Sequence, residues 1–216
     1  GKSYGLGSSQ CYQCNIKTTC GNTLYLRETL VSAHVSIIPE FWEKIELLGL
    51  ENNFVKTKKE IIHRFNGSQI YFRGIKSASK RAEANLKSVH NVSTVIIDEA
   101  QEVARDDFQR IDLSVRSVTE HNRIILSLNP TDKEHWIYKD FFEAPGVPED
   151  FNGIVGDTCY IHTTYLDNLA NLPPDFLRMA NECKERDIEE YNNIWLGLWR
   201  GDTEGALWSA EMINPY

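Results

Sequence analysis

The most regular feature of this chain is an alternation between short, dense apolar runs and longer stretches with apolar residues at helical spacing. The apolar runs predict β-strands over residues 23–27, 92–98, 123–129 and 158–164. The helical spacing predicts α-helices over residues 3–19, 29–50, 106–118, 135–142, 174–185 and 187–197. Pro39 is expected to break the second of these helices or to start its second part. This alternation indicates an α/β fold with a mainly parallel sheet flanked by helices.

A different pattern occupies residues 61–72. Apolar residues in 61–65 and 69–72 flank the dipeptide Asn66-Gly67, which favours the type I′ turn of a tight hairpin. We therefore expect an antiparallel hairpin added to the parallel sheet. Residues 144–157 are rich in Gly, Pro and Asp, which predicts a loop.

The densest apolar run, residues 92–97, ends in the acidic pair Asp98-Glu99. A buried parallel strand would deliver both carboxylates to its C-terminal end, the edge at which ligands bind in open α/β sheets. Such a pair suits a nucleotide hydrolase, in which one acid holds the Mg²⁺ shell and the other polarises the attacking water. Acids that simply cap the following helix would produce the same pattern.

The chain begins Gly1-Lys2-Ser3, which matches the end of the phosphate-loop motif G-x-x-x-x-G-K-[ST]. In that motif the lysine reaches the β- and γ-phosphates and the serine hydroxyl binds Mg²⁺. The tripeptide is common, and a leading glycine can come from cloning. Lys2 and Asp98 are 96 residues apart, a separation that fits a P-loop fold with intervening strands. We therefore expect a nucleotide site whose remaining loop residues precede residue 1.

Composition indicates one ordinary globular domain: 216 residues, 41% hydrophobic and 25% charged, without an apolar run long enough to span a membrane. The five cysteines are an odd count, which does not suggest a disulfide framework. Cys11, Cys14 and Cys20 could be read as zinc ligands, but structural helix cysteines explain them more simply. Reduced thiols point to the cytoplasm.

The net charge of −8 argues against a nucleic-acid grip that covers the whole surface. Local basic clusters remain candidates for DNA contact. They comprise Lys56, Lys58, Lys59, Lys76, Lys80, Arg81 and Lys87.

Four further segments, taken in order, resemble the large subunits of bacteriophage terminases. They are Ile70 to Gly74, Leu126 to Thr131 followed by Trp136, Thr163 to Asn168 followed by Leu172-Pro173-Pro174, and Tyr191 to Trp199 with its Leu196-Gly197-Leu198-Trp199. The resemblance covers essentially the whole chain. It implies the N-terminal ATPase domain of a terminase, with a P-loop NTPase fold of the RecA-like class. That domain hydrolyses ATP to drive viral double-stranded DNA into the procapsid.

The resemblance also implies roles for individual residues. Lys2 and Ser3 match the end of the Walker A motif and, with Gly1, would bind the phosphates of ATP. Asp98 matches the Walker B aspartate, which with Ser3 would hold Mg²⁺. Glu99 matches the catalytic glutamate that orients and deprotonates water.

Three other roles follow from the same resemblance. Asn129 falls in the coupling motif, which senses the γ-phosphate, and Ser127 lies beside it. Arg27 sits where relatives often carry an arginine near the nucleotide, although a surface ion pair is an equally good explanation. A basic finger from a neighbouring subunit would be supplied by Lys87 or by Arg81.

The resemblance assigns residues 1–200 to the ATPase domain and residues 201–216 to the start of a linker toward a nuclease domain. The implied partners are double-stranded viral DNA, the portal protein, the small terminase subunit and further copies in a ring, in the host cytoplasm and without membrane contact. Two alternatives remain open at this point. One is a docking fragment without catalysis, and the other is a DEAD-type helicase domain suggested by Asp98-Glu99-Ala100-Gln101.

Overall fold

The computed structural model describes residues 2–16, 21–28, 37–75, 89, 91–115 and 122–201, with residues 2–4 described through their backbone alone. The chain divides into two compact units, Gly1–Leu128 and Asn129–Tyr216, which we call the sheet unit and the C-terminal unit. Parts of the helices predicted over 3–19, 29–50 and 106–118 lie outside the described residues. Most of the predicted linker lies outside them too, so the predicted domain boundary stays a prediction.

The sheet unit is built on a six-stranded sheet. Its strands are β1 (Asn22–Arg27), β2 (Phe54–Lys56), β3 (Glu60–His63), β4 (Gln69–Gly74), β5 (Val92–Asp98) and β6 (Arg123–Ser127). They lie in the order β2-β3-β4-β1-β5-β6. β1 pairs in parallel with β4 and β5, and β5 pairs in parallel with β6. β2 and β3 are antiparallel additions, which confirms the predicted fold class.

The hairpin between β3 and β4 lies where Asn66-Gly67 predicted it, but the predicted type I′ turn is wrong. Gly67 has a φ of 73°, whereas Asn66 does not have the positive φ that a type I′ turn requires. The loop closes with a bond from the His63 N–H to the Ser68 carbonyl, 2.8 Å long. The Asn66 side chain instead accepts a bond from the Ser68 N–H at 2.9 Å, which explains the longer turn.

Two helices pack with the sheet around one apolar core. They are α1 (Lys2–Ile16) and α2 (Ile37–Leu47), and Pro39 lies in the first turn of α2, where its missing N–H costs no helical hydrogen bond. The core joins residues of both helices to residues of β1, β4 and β5. Cys11 and Cys14 are fully buried members of this core, as structural helix cysteines should be.

A short helix, α3 (Arg105–Asp112), follows β5 after a 3-10 turn over Ala100–Glu102. It ends earlier than the helix predicted over 106–118, because residues 113–115 are not helical. β6 likewise ends at Ser127, two residues before the predicted strand end.

The C-terminal unit contains short elements. The first is the helix α4 (Trp136–Tyr138), which continues as a π-helical turn over Lys139–Glu143. The strands β7 (Gly153–Val155) and β8 (Thr158–Tyr160) follow, and then a 3-10 helix over Tyr165–Asn171. The last two are the helices α5 (Pro174–Arg186) and α6 (Ile188–Ile194). α5 and α6 confirm the two predicted helices. Asp187 caps α6, since its carboxylate accepts bonds from the Glu189 and Glu190 N–H groups.

Two predictions for this unit are wrong. Residues 153–155 are not loop but strand, and β8 ends at Tyr160 and pairs only with β7 in an antiparallel pair. The cause is the two-residue connection Gly156-Asp157, in which Gly156 has a φ of 62°. Glycine at the first position of such a connection is typical of a type II′ hairpin. In the part of the chain that the structure describes, no helix combines the length and apolarity needed to cross a membrane.

Candidate functional site

Three parallel strands of the sheet unit bring polar side chains to one edge. Leu26 of β1 pairs with Ile97 of β5, so that Arg27 and Asp98 come next on the two neighbouring strands. Asp98 in turn pairs with Ser127, the last residue of β6. The carboxyl ends of parallel strands form the ligand-binding edge of open α/β sheets. The fold therefore places the predicted acidic pair where such a site is expected.

Asp98 is a buried carboxylate with a charged partner. It is 2% exposed and is the last residue of a strand in which all seven residues are buried. Two N–H groups of Arg27 bind the same carboxylate oxygen, Oδ2, with Nε at 2.9 Å and Nη2 at 2.6 Å. Burying a carboxylate without a partner would cost several kcal/mol, and the guanidinium offsets that cost.

The charge of Arg27 is in turn favoured by this contact. Burial works against the charged guanidinium, but the hydrogen bond to Asp98 and its negative charge more than offset burial and raise the pKa of Arg27. Arg27 is thus a half-buried ion-pair partner at the strand edge. Neither of the two explanations offered by the sequence, a nucleotide contact or a surface ion pair, included this position on Asp98.

A second donor, Tyr25, binds the same oxygen. Its phenolic O–H donates to Asp98 Oδ2 at 2.5 Å, and its ring lies edge-on to Phe41 and tilted against Phe72. Burial raises the pKa of Tyr25 above its usual range, and the hydrogen bond to Asp98 adds to this effect. The phenol therefore keeps its proton and remains a hydrogen-bond donor.

Glu99 follows Asp98 in an unusual backbone conformation. Its φ of 55° and ψ of 48° are left-handed, and its side chain is 43% exposed. Glu99 Oε1 lies 3.7 Å from Arg27 Nη2. Glu99 precedes the 3-10 turn over Ala100–Glu102 but makes no side-chain capping bond to it. Of the two interpretations of the acidic pair, helix capping therefore finds no support at Glu99.

The other predicted nucleotide residues are only partly described. The backbone of α1 is described from Lys2 onward. Gly1 and the side chains of Lys2 and Ser3 lie outside the described residues, and so do Lys87 and Arg81. Their roles stay predictions.

Asn129 is the first residue of the C-terminal unit. The segment that follows it is fixed by an amide side chain from α6. The Asn193 Nδ2 group donates to the carbonyls of Pro130 and Leu198, both at 2.8 Å, and approaches that of Thr131 at 3.4 Å.

Arg200 reinforces the same connection within the C-terminal unit. Its Nε donates to Asn193 Oδ1 at 3.0 Å, and its backbone N–H donates to the Thr131 carbonyl at 2.9 Å. We call the group formed by residues 130–132, Asn193 and Arg200 the amide clamp. It lines an open cavity of about 330 Å³. The clamp ties the segment after the predicted coupling residue to the segment at residues 198–200.

Sequence reasoning missed Tyr25 and Asn193. Strand alternation offered a signal for Tyr25, because a residue two positions before Arg27 lies on the same face of the strand. Asn193 offered no such signal, since its partner carbonyl at Pro130 is 63 residues away.

Within the described ranges, the structure brings together no group of three or more His, Cys, Asp or Glu side chains suited to a metal ion. Mg²⁺ at a nucleotide needs no such group, because it is usually held by one or two carboxylates together with phosphate oxygens and water.

Comparison with known proteins agrees with this architecture. A sequence model for the phage terminase large subunit matches residues 2–198. The PBSX phage terminase large subunit of Bacillus subtilis (strain 168) is 30% identical over 204 residues, which cover 87% of this chain and 46% of that protein. This chain therefore spans about half the length of that relative.

Solved structures show the same fold. The large terminase of a thermophilic bacteriophage superposes with a TM-score of 0.68 at 14% identity, covering 92% of this chain and 46% of that one. The large terminase ATPase domain of Thermus phage P74-26 superposes with a TM-score of 0.63 at 14% identity, covering 92% of this chain and 84% of that domain.

The fold is therefore that of a large terminase ATPase domain. The chain belongs to the phage terminase large subunit family. These matches give no support to the helicase alternative or to the docking alternative.

Proposed function

We propose that this chain is the ATPase part of a phage terminase large subunit, which hydrolyses ATP to move viral double-stranded DNA into the procapsid. The observation that carries the proposal is the pair Asp98-Glu99 at the carboxyl end of β5, a buried inner strand of a sheet with the large terminase ATPase fold. Two solved forms of the large terminase from the thermophilic bacteriophage are complexes with ADP and with ATP-gamma-S, which supports nucleotide binding by this fold.

The residues at the strand edge fit a Mg²⁺-nucleotide. Asp98 offers hard carboxylate oxygens, the ligands that Mg²⁺ prefers, and it lies at the strand edge where phosphates bind in this class of fold. Asp98 and the Ser3 hydroxyl would hold Mg²⁺, which would neutralise charge on the phosphates. Gly1 and Lys2 would bind the phosphates at the start of α1, where free backbone N–H groups favour anions.

Glu99 would act on the attacking water. Its side chain is more exposed than that of Asp98, so it can reach a water molecule while Asp98 stays in place. A carboxylate in this position orients the water and accepts its proton during in-line attack on the γ-phosphate. Asn129 would sense the γ-phosphate and link its hydrolysis to movement of the rest of the chain.

Arg27 would lie near the bound nucleotide while keeping its contact with Asp98. A basic residue from a neighbouring subunit, Lys87 or Arg81, would complete the charge compensation. A lysine would supply charge without the bidentate geometry of an arginine.

The proposed partners follow from the family. They are double-stranded viral DNA, the portal protein, the small terminase subunit and other copies of the same subunit in a ring. The proposed location is the host cytoplasm, with transient attachment to the procapsid.

The test is DNA-stimulated ATP hydrolysis by the chain extended before Gly1 with a complete phosphate loop. Glu99→Gln should keep nucleotide binding and lower turnover by about 100-fold or more, because it removes the proton acceptor. The control is Glu102→Gln, which changes an exposed glutamate in the adjacent 3-10 turn and should leave turnover unchanged.

Unchanged hydrolysis in Glu99→Gln would remove Glu99 from its role. If the extended chain with native residues neither binds nor hydrolyses ATP, the ATPase proposal is wrong and a docking role becomes the better explanation.

A further inference from the structure

We propose that Tyr25 is a positioning residue that holds Asp98 in the orientation required for the Mg²⁺-nucleotide. This inference rests on the proposed function, because it assigns Tyr25 to the same site. Neither the sequence pattern nor the family match assigns a role to Tyr25.

The geometry at Asp98 separates two kinds of donor. Oδ2 accepts one bond from the neutral phenol of Tyr25 at 2.5 Å and two from Arg27 at 2.9 and 2.6 Å. A carboxylate is planar, so an oxygen held in place also fixes the direction of the other oxygen. The donors on Oδ2 therefore restrict where Oδ1 points.

Tyr25 is the more rigid of the two donors. It is 3% exposed, and its ring packs against Phe41 and Phe72, which also pack against each other. Arg27 has a long side chain that is 30% exposed. The tyrosine side chain has two torsions and is locked by packing. It therefore has less conformational freedom than the long, partly exposed side chain of an arginine. Tyr25 is thus the fixed support, and Arg27 supplies the charge.

The neutrality of Tyr25 has a second consequence. A cation near Asp98 is repelled by the charge of Arg27 but not by a phenol. The phenol can therefore keep its bond to Oδ2 while Mg²⁺ is bound. Hydrogen-bonded supports of metal ligands typically change metal affinity by 10- to 100-fold when they are removed.

The test uses Tyr25→Phe in the chain extended with a complete phosphate loop. Electron paramagnetic resonance with Mn²⁺ and ATP-gamma-S measures metal binding without turnover. We expect the Mn²⁺ dissociation constant to rise about tenfold or more. In the ATPase assay, the Mg²⁺ concentration for half-maximal rate should rise by a similar factor, while kcat recovers at saturating Mg²⁺. This variant keeps the aromatic ring and leaves Arg27 unchanged, so the fold should be kept.

The control is Phe41→Leu, which disturbs the packing around Tyr25 but keeps its hydroxyl. It should lower thermal stability and raise the Mn²⁺ dissociation constant by much less than Tyr25→Phe does, because the phenol can still donate to Asp98. An unchanged dissociation constant in Tyr25→Phe overturns the proposal, and so does an equal rise in both variants, which would indicate packing alone. If the extended chain with native residues binds no Mn²⁺-nucleotide, the proposed function fails first and the role of Tyr25 fails with it.

Discussion

The sheet unit and the C-terminal unit hold their chains in different ways. In the sheet unit, backbone ladders join six strands, and aliphatic and aromatic side chains fill one core beneath α1 and α2. In the C-terminal unit, the only sheet among the described residues has two strands, and much of the order comes from ring contacts and from side chains bonded to the backbone. The tyrosine at 160, for example, donates to the Phe141 carbonyl at 2.6 Å.

This difference affects how each unit can place a functional group. A strand register fixes where a side chain emerges, so the sheet unit sets Asp98 and Arg27 side by side through pairing alone. In the C-terminal unit, the segment after Asn129 has a single parallel bridge, between Asp132 and Arg200, instead of a full strand ladder. The amide of Asn193 adds bonds to the Pro130 and Leu198 carbonyls that hold this segment. The sheet unit should therefore depend most on apolar packing, and the C-terminal unit on single polar side chains.

The largest expected effect is in the core of the sheet unit. Phe41→Ala removes a ring that packs against Tyr25 and Phe72 and is 2% exposed. We expect the free energy of unfolding to fall by about 3–5 kcal/mol, measured by urea unfolding, with faster amide exchange in β1 and β5. The matched control is Phe65→Ala, which removes a ring that is 79% exposed and should cost less than about 0.5 kcal/mol. Equal losses in the two variants would contradict the packing argument.

The next effect tests the amide clamp. Asn193→Ala removes the donor shared by the Pro130 and Leu198 carbonyls and the acceptor of Arg200. We expect the free energy of unfolding to fall by about 1–3 kcal/mol, because these carbonyls lose a hydrogen-bond donor that no other group replaces. Hydrogen exchange should become faster at the backbone amides of Lys133 and Arg200. These amides donate to the Arg200 and Thr131 carbonyls, which join the two segments held by Asn193.

Asn192→Ala is the comparison for this prediction, since it changes the adjacent residue of α6 and leaves the Asn193 bonds in place. If exchange at Lys133 and Arg200 is the same in both variants, Asn193 does not hold the clamp.

The smallest effect concerns pH. Burial, with the nearby Cys14 as second cause, raises the pKa of Cys11 from 9.0 to about 12. The unfolded chain therefore releases this proton at lower pH than the folded protein does. The contribution of the buried Cys11 thiol to the free energy of unfolding is fully present below pH 9 and is lost as pH rises toward 12. Between pH 8 and pH 10 the free energy of unfolding should fall by about 1 kcal/mol.

Cys11→Ala should remove this part of the pH dependence of unfolding. Cys159→Ala, which changes an exposed thiol of the C-terminal unit, should leave it intact. Parallel pH profiles for the native chain and Cys11→Ala would show that burial of Cys11 is not the cause.

The comparison of the two units also explains what the sequence could predict. The apolar run before Asp98 predicted β5 correctly, because a buried parallel strand has a distinctive local composition. The turn at Asn66 was predicted wrongly. The dipeptide alone does not show that the Asn66 side chain accepts a hydrogen bond from the Ser68 N–H. Gly156-Asp157 was a readable hairpin signal that was overlooked.

The site was predicted to a similar extent. Asp98 and Glu99 were proposed from the strand that carries them, and Arg27 from the resemblance to terminases. That Arg27 and Tyr25 share one oxygen of Asp98 depends on strand order, which local sequence does not specify. The bonds of Asn193 depend on contacts between distant segments, for which a single sequence holds no periodic signal.

The left-handed backbone at Glu99 sets folding against chemistry. For a residue with a side chain, this left-handed conformation costs about 1 kcal/mol of folding stability relative to glycine. Selection for thermostability alone would therefore favour glycine at position 99 and discard the carboxylate with it. An engineering programme that ranked variants of this chain by melting temperature would reward the loss of its proposed catalytic residue, so position 99 should be held fixed from the start.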